Sequence, residues 1–406
     1  MKTIYLFSNC YPYGMVSESF LTDELQVASK LSCCYIEIIP LYKNKYKREL
    51  PSNVILNNKL ADLSFTYRIK VFFLMILSRY FWLLSFQGKY SPKSISDYYQ
   101  AIKYLFGSFL IKNFLLKYKT NFVEDAVFYS YWFNHTPLGF CMAKESCKYF
   151  EKNTIYTRAH GFDVYEENVG TYFPYRNKVF TMIDKVFIVS DEGVAYMKKK
   201  YPTFVRKIDV SRLGVFINHV KKNIENYWEI SILSCSNIIP VKRVNLIFES
   251  INNFCKENSC LKIKWTHIGG GNGFEDLQEK IKSKQSNLTV NLVGAVNKVV
   301  VQEIYKKEYF NLFINVSLSE GVPVSIMEAI SWGIPVLATD VGGNKEIIMK
   351  NSGLLLPVNF SQKQFNNSLL YLVKYNNILS DSAYEFCLKN YNAEINYTNF
   401  YINQLK

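Results

Sequence analysis

Short runs of β-branched and aromatic residues alternate along this chain with longer stretches whose apolar positions recur every three or four residues. That alternation marks βαβ units: a parallel strand buried on both faces reads as a continuous apolar run, whereas a helix needs only one apolar stripe. In the first half, strands are predicted at 2–8, 34–40, 126–131, 154–158 and 185–190, with helical patterns between them, the longest across 65–119. In the second half they are predicted at 230–236, 262–268, 289–293, 312–316, 335–339 and 353–356. The run from Asp209 to Phe216 reads as a last strand leaving the first half, and a polar linker follows it. The expected class is α/β, with two Rossmann-like, doubly wound domains at 1–217 and 218–382 facing a central cleft. A C-terminal helix over about 383–406 is expected to pack back on the first domain. Ligands of such sheets bind beyond the carboxyl ends of the strands, so chemistry is sought in the loops that follow strands. No repeat of fixed period and no low-complexity tract is present, which excludes solenoids and disordered tails.

Composition fills in this picture. A chain of 406 residues with 49% hydrophobic content can bury two cores. Its nine cysteines form an odd set with one adjacent pair, Cys33 and Cys34, and no C-x-x-C spacing, so neither a zinc ribbon nor a redox pair is indicated. A reducing cytoplasm is expected. The run Met1 to Ser8 reaches polar residues too early for a signal-peptide core and reads as the first strand.

The formal charge of +14 is concentrated: residues 43–119 hold fourteen Lys and Arg against three acids. The same segment carries Val71 to Leu77 and Tyr80 to Phe86, two apolar runs interrupted by Arg79 and too short for a comfortable membrane span. Cations beside Trp, Phe and Leu suit a segment lying on an anionic bilayer, since cations attract headgroups while rings bury at the acyl boundary. Core helices with solvated basic faces are the plainer alternative.

Candidate chemistry lies after the strands. Leu312 to Val316 runs into Ser317-Leu318-Ser319-Glu320-Gly321-Val322, and Pro323 opens a helix that carries Val324, Ser325 and, about two turns on, Glu328. Unpaired amides and the positive dipole end at such a helix start suit a diphosphate, and a carboxylate beside it accepts from sugar hydroxyls. Upstream, His160 follows the strand at 154–158 in Thr157-Arg158-Ala159-His160-Gly161-Phe162-Asp163. A histidine there can donate to a sugar hydroxyl, and Asp163 orients it, binds acceptor or caps the next turn. In the first loop, Gly14 permits close backbone approach to a phosphate, while Glu18 is an acceptor contact or a helix start. Arg158 is a further candidate acceptor contact. The second half opens with Asn237-Ile238-Ile239-Pro240-Val241-Lys242-Arg243, and a glycine run at 269–271 and Gly294 follow later strands. The glycine run lacks G-x-G-x-x-G spacing, which argues against a dinucleotide fingerprint.

The block from Glu320 to Ala329, with Gly333 to Thr339, Gly342 to Ile347 and Gly353 to Leu355 after it, resembles the E-x7-E signature of glycosyltransferase family 4. The resemblance implies a GT-B fold, a UDP- or GDP-linked sugar as donor, retention of anomeric configuration and bacterial surface-polysaccharide assembly. It implies that Glu320 meets the donor sugar, that Glu328 meets the ribose and that Gly321 to Ser325 border the diphosphate. His160 resembles the family histidine that contacts the transferred sugar, and Gly14 the glycine of the first loop. Gly269, Gly270 and Gly294 resemble turns beside the nucleotide base. The chain departs from the family's Gly-Arg-x-x-x-x-Lys-Gly: Asn237 stands at the arginine position, Lys242 keeps the lysine, and Arg243 replaces the last glycine, leaving open whether it substitutes for the missing guanidinium. No D-x-D and no metal-ligand spacing occurs, so neither metal nor cofactor is expected.

The function expected from these features is transfer of a hexose to a lipid-linked saccharide acceptor at the inner face of the cell membrane, without nucleic acid as a partner. A non-catalytic polyanion or membrane binder, and another enzyme of the same fold such as a sugar-nucleotide epimerase or a phosphorylase, are the alternatives.

Overall fold

The computed structural model describes residues 2–15, 17–86, 92–166, 173–218, 229–348 and 352–405. Most of the polar linker expected after residue 218, and Lys89 of the basic segment, lie outside the described residues. The chain forms two compact units, one of Met1–Arg212 with Tyr397–Lys406, the other of Leu213–Asn396.

The first unit is built on seven strands: β1 Lys2–Ser8, β2 Cys34–Pro40, β3 Val54–Leu56, β4 Val127–Ser130, β5 Thr154–Ala159, β6 Lys185–Ile188 and β7 Ile208–Val210. They pair in the order β3-β2-β1-β4-β5-β6-β7, every pair parallel. Alternation along β1 feeds both faces. Tyr5 and Phe7 join Phe128 and Phe140 in one core, while Ile4 and Leu6 join Tyr129, Leu25 and Phe400 in the other. The expected helical stretch divides into helices Phe65–Ile76, Arg79–Trp82 and Ile95–Lys117. Ser64, Ser78 and Ser94 each cap a start by accepting an amide three residues on.

The second unit has six parallel strands: β8 Glu229–Cys235, β9 Lys262–Ile268, β10 Leu288–Gly294, β11 Leu312–Asn315, β12 Val336–Thr339 and β13 Gly353–Leu356. Their order is β10-β9-β8-β11-β12-β13. Both sheets therefore reverse direction once, between β1 and β4 and between β8 and β11, and the loops leaving those strand ends diverge there.

Three elements differ from the sequence reading. β3 has no counterpart in it, because three residues at a sheet edge, one of them exposed, give too short an apolar signal. The strand expected over 209–216 ends at Val210, and Val215 instead bridges to Asn392. The single helix expected over 383–406 is three pieces, Asn376–Asn390, Ala393–Asn399 and a wider π turn at Phe400–Gln404, with the first break at that bridge.

Candidate functional site

In the second unit, β11 ends on Asn315 and its loop carries Glu320 back over the strand end. Glu320 Oε1 accepts from the Lys242 ammonium at 2.6 Å, from Asn315 Nδ2 at 3.0 Å and from Ser317 Oγ at 2.6 Å. Oε2 has no partner among the described residues, so one oxygen is anchored and the other is left able to accept. Lys242 comes from the loop after β8, where a single turn at Pro240–Lys242 ends. That loop is tied to the next by Leu318 N donating to Val241 O at 2.8 Å. A third loop, after β12, closes against the first. Gly343 N donates to Gly321 O at 2.7 Å, and Thr339 Oγ1 to Ser317 O at 2.6 Å. Gly342 sits there at φ +47 with so little room that a Cβ would meet Glu320 O at 1.9 Å, so only glycine fits.

The helix start differs in detail from the expectation. Val324–Ser331 is the helix, Pro323 is its extended N-cap residue, and Glu328 is the fifth helical residue rather than two turns along. Val322, Ile326 and Met327 are buried, and the amides of Val324 and Ser325 stand in the first turn, where no earlier turn of the helix can accept from them. Glu328 is buried and lies 3.5 Å from the Lys298 ammonium.

Arg243 is engaged by backbone at the base of this loop cluster. Its backbone is left-handed, φ 48, at the start of helix Val244–Glu257, and its guanidinium donates to Val316 O at 2.6 Å and Val358 O at 2.9 Å. It thus ties the chain just after β11 to the chain just after β13. Asn237 is exposed at the end of β8, where the glycine turn packs: Ile238 N donates to Gly270 O at 2.7 Å, and Gly269 N to Gly294 O at 2.9 Å. At φ +142, with Ser236 O only 1.9 Å from a built Cβ, Gly269 admits no side chain.

In the first unit His160 follows β5 and is enclosed by rings: Trp132 at 4.6 Å between centroids, Tyr131 at 5.1 Å and Phe20 at 5.5 Å. Neither ring nitrogen has a hydrogen-bond partner among the described residues. Burial, and then the nearby Arg158 cation, push its pKa down to about 3, so the imidazole is neutral at working pH. Asp163 holds the backbone beneath it, accepting from His160 N at 2.5 Å and Phe133 N at 2.6 Å. Burial raises the Asp163 pKa to about 7 against the opposing pull of those amides and of Arg176.

Glu18, at φ 50, accepts from the amides of Asn9, Cys10 and Tyr11 at 3.0, 2.7 and 2.7 Å and from Trp132 Nε1 at 2.6 Å. Its carboxylate thereby shapes the first loop and fixes the ring against His160. Gly14, at φ +85, donates its amide to Tyr46 O at 2.8 Å on the far side of that loop. Arg158 points under the sheet: fully buried, it pairs with Glu24 at 2.9 Å and lies 4.3 Å from the Phe400 ring centroid. The sequence reading had no place for Asn315, Ser317, Trp132 or Glu24. Of these, Asn315 alone carried a signal, as a polar residue closing an apolar strand.

Residues 216–385 match the protein family described as Glycosyl transferases group 1. The O-antigen biosynthesis glycosyltransferase WbnH of Escherichia coli is 36% identical over 89 residues, 22% of this chain and 24% of that one. Protein CapJ of Staphylococcus aureus is 23% identical over 235 residues, 56% of this chain and 50% of that one. The chain spans half or less of the length of these curated relatives. Among solved structures, the lipopolysaccharide outer core galactosyltransferase WaaB superposes with a TM-score of 0.65 over 100% of both chains at 14% identity. S. aureus TarM, in complex with UDP, superposes with a TM-score of 0.67, again over 100% of both at 14% identity. The fold is GT-B. Its two parallel-sheet, Rossmann-like units superpose on those of the solved glycosyltransferases, and the Lys242–Glu320 cluster lies in the region matched by the family model.

Proposed function

We propose that the chain is a retaining, metal-independent hexosyltransferase. Its donor is a UDP- or GDP-linked sugar, and its acceptor a hydroxyl of a lipid-linked saccharide in capsule, O-antigen or exopolysaccharide assembly. It works in the cytoplasm at the inner face of a bacterial cell membrane. The observation that carries this reading is the Glu320 carboxylate, with one oxygen anchored by three donors and the other left to accept, set beside a cation and a helix start. Such a group grips sugar hydroxyls in a fixed orientation, and Lys242 with the amides of Val324 and Ser325 offsets the charge that develops on a departing diphosphate. Retention follows from attack on the face the nucleotide leaves, the departing phosphate taking the acceptor proton. The first unit takes the acceptor, and the neutral His160 offers a donor to the transferred sugar. Glu328 meets the ribose. Similarity to WbnH, an O-antigen biosynthesis glycosyltransferase, supports a place in surface-polysaccharide assembly.

A panel of UDP- and GDP-sugars in a thermal-shift assay tests the donor, because a ligand bound only by the native state raises Tm. One nucleotide sugar is expected to raise Tm and to be turned over, with Lys242→Ala and Glu320→Ala each losing roughly 10²- to 10³-fold in kcat. A full panel without a shift, or turnover indifferent to both substitutions, refutes the proposal.

A further inference from the structure

Helix Phe65–Ile76 buries only Val71 and Met75. At 100° per residue, Ile69, Phe73 and the C-cap residue Leu77 fall on the opposite side, with Phe65 and Phe72 on its flank, and all five are exposed, Phe65 by 77% and Leu77 by 79%. The outward face of an ordinary surface helix is polar. Further along the same basic segment, Trp82, Phe86 and Ile95 are exposed by 66, 79 and 91%. Exposed large apolar side chains gathered into a crest on one helix face mark an interaction site.

Beside the crest, a crevice of about 350 Å³ opens between the 74–80 segment, helix Ile95–Lys117 and helix Thr136–Ser146. Phe109, Leu116 and Met142 supply its apolar lining, and Arg79 and Lys112 its cations. The one carboxylate there, Glu145, is already engaged by Lys178 and by the Tyr80 hydroxyl, each at 2.6 Å. Arg79 reaches it only at 3.9 Å, and the Lys112 ammonium has no hydrogen-bond partner among the described residues. Half-buried, Lys112 has its pKa lowered by desolvation, the condition an anionic partner would relieve. Other cations of this layer lie over rings, Lys103 by Tyr99 and Lys117 by Tyr67, as amphipathic side chains do at an interface. No helix among the described residues is long and apolar enough to cross a membrane.

We propose that the crest and the crevice together dock the chain on an anionic bilayer: Phe73, Leu77 and Trp82 enter the acyl boundary, and one phospholipid sets its phosphate between Arg79 and Lys112. This rests on the membrane part of the function proposed above and gives it a surface and a lipid seat. The charge complementarity of a strongly basic segment with phosphate headgroups favours this occupant over a second protein.

Co-sedimentation of the purified chain with phosphatidylcholine vesicles, with and without about one third phosphatidylglycerol, tests the docking. Binding is expected only with the anionic lipid and is expected to survive millimolar inorganic phosphate. The double variant Arg79→Gln with Lys112→Gln should weaken it roughly thirty-fold. The variant Phe73→Glu with Leu77→Glu should abolish it. All four positions belong to the first unit and the Glu320 cluster to the second, so donor turnover without vesicles should persist and certify folding. Equal binding to neutral vesicles, indifference to either double variant, or displacement by free phosphate each overturns the proposal. Absence of donor turnover in the unaltered chain would instead overturn the transferase reading and leave the vesicle result decisive for this one.

Discussion

At the scale of single residues, the two acids singled out with His160 and Lys242 do different work. Glu320 is the group proposed to face the donor, whereas Asp163 accepts from two buried amides, His160 N and Phe133 N, that have no other acceptor among the described residues. Truncation to Asp163→Ala leaves both unpaired and should cost about 2–4 kcal/mol, read as a fall in the urea midpoint. Donor turnover in whatever remains folded should drop as well, because His160 is set by that backbone. Unchanged stability would show that the two amides find other acceptors. These roles were only partly legible in the sequence. The pattern around Glu320 is local and was readable as a motif, but Arg243 was not. Its place beside Lys242 left open whether it supplies a second phosphate cation, and nothing in the residue order reveals its left-handed backbone or its bonds to Val316 O and Val358 O. The Arg158–Glu24 pair spans 134 positions, so no spacing rule finds it.

At the scale of elements, what positions the cluster is the meeting of loops after β8, β11 and β12. Each was anticipated as a strand end, because β11 and β12 read as short apolar runs, and β8 as apolar residues broken by Ser231 and Ser234, each with polar residues beyond it. Their mutual fastening was not, since it depends on backbone atoms: Leu318 N to Val241 O and Gly343 N to Gly321 O. Gly342 tests this fastening. Gly342→Ala forces a Cβ into Glu320 O, and the Glu320 loop must shift to admit it. Since a displacement of about 1 Å at a binding group costs on the order of 10²-fold in rate, kcat is expected to fall by that order. The far-UV circular dichroism should stay unchanged. Full activity would mean that the loop yields without consequence.

At the scale of the whole molecule, buried titrating groups set the response to pH. Burial pushes His135 and His267 down to about 4 and, with Arg158, His160 to about 3. A histidine whose folded pKa is depressed binds its proton more readily when unfolded, so stability drains away as pH falls through the unfolded value near 6.5. Asp163, raised to about 7, has the opposite sign and gains stability as pH falls over the same window. Between pH 7 and 5 each histidine costs about 2 kcal/mol and Asp163 returns about as much, so the urea midpoint should decline toward pH 5. In Asp163→Asn the decline should steepen. The formal charge of +14 acts at this scale too, drawing every kind of anion toward the surface. Lys242 does not share in that general attraction, because its ammonium is held by Glu320 at 2.6 Å. A stray phosphate would have to displace a carboxylate already in place, whereas a nucleotide sugar can exchange partners with both, phosphate to lysine and hydroxyl to glutamate. On the proposed function, the ion pair would thus act as a filter for molecules that carry both groups. Neutralising one side should open it: Glu320→Gln is expected to bind inorganic pyrophosphate more tightly by calorimetry while turning over sugar donor more slowly, trading selectivity for simple anion affinity.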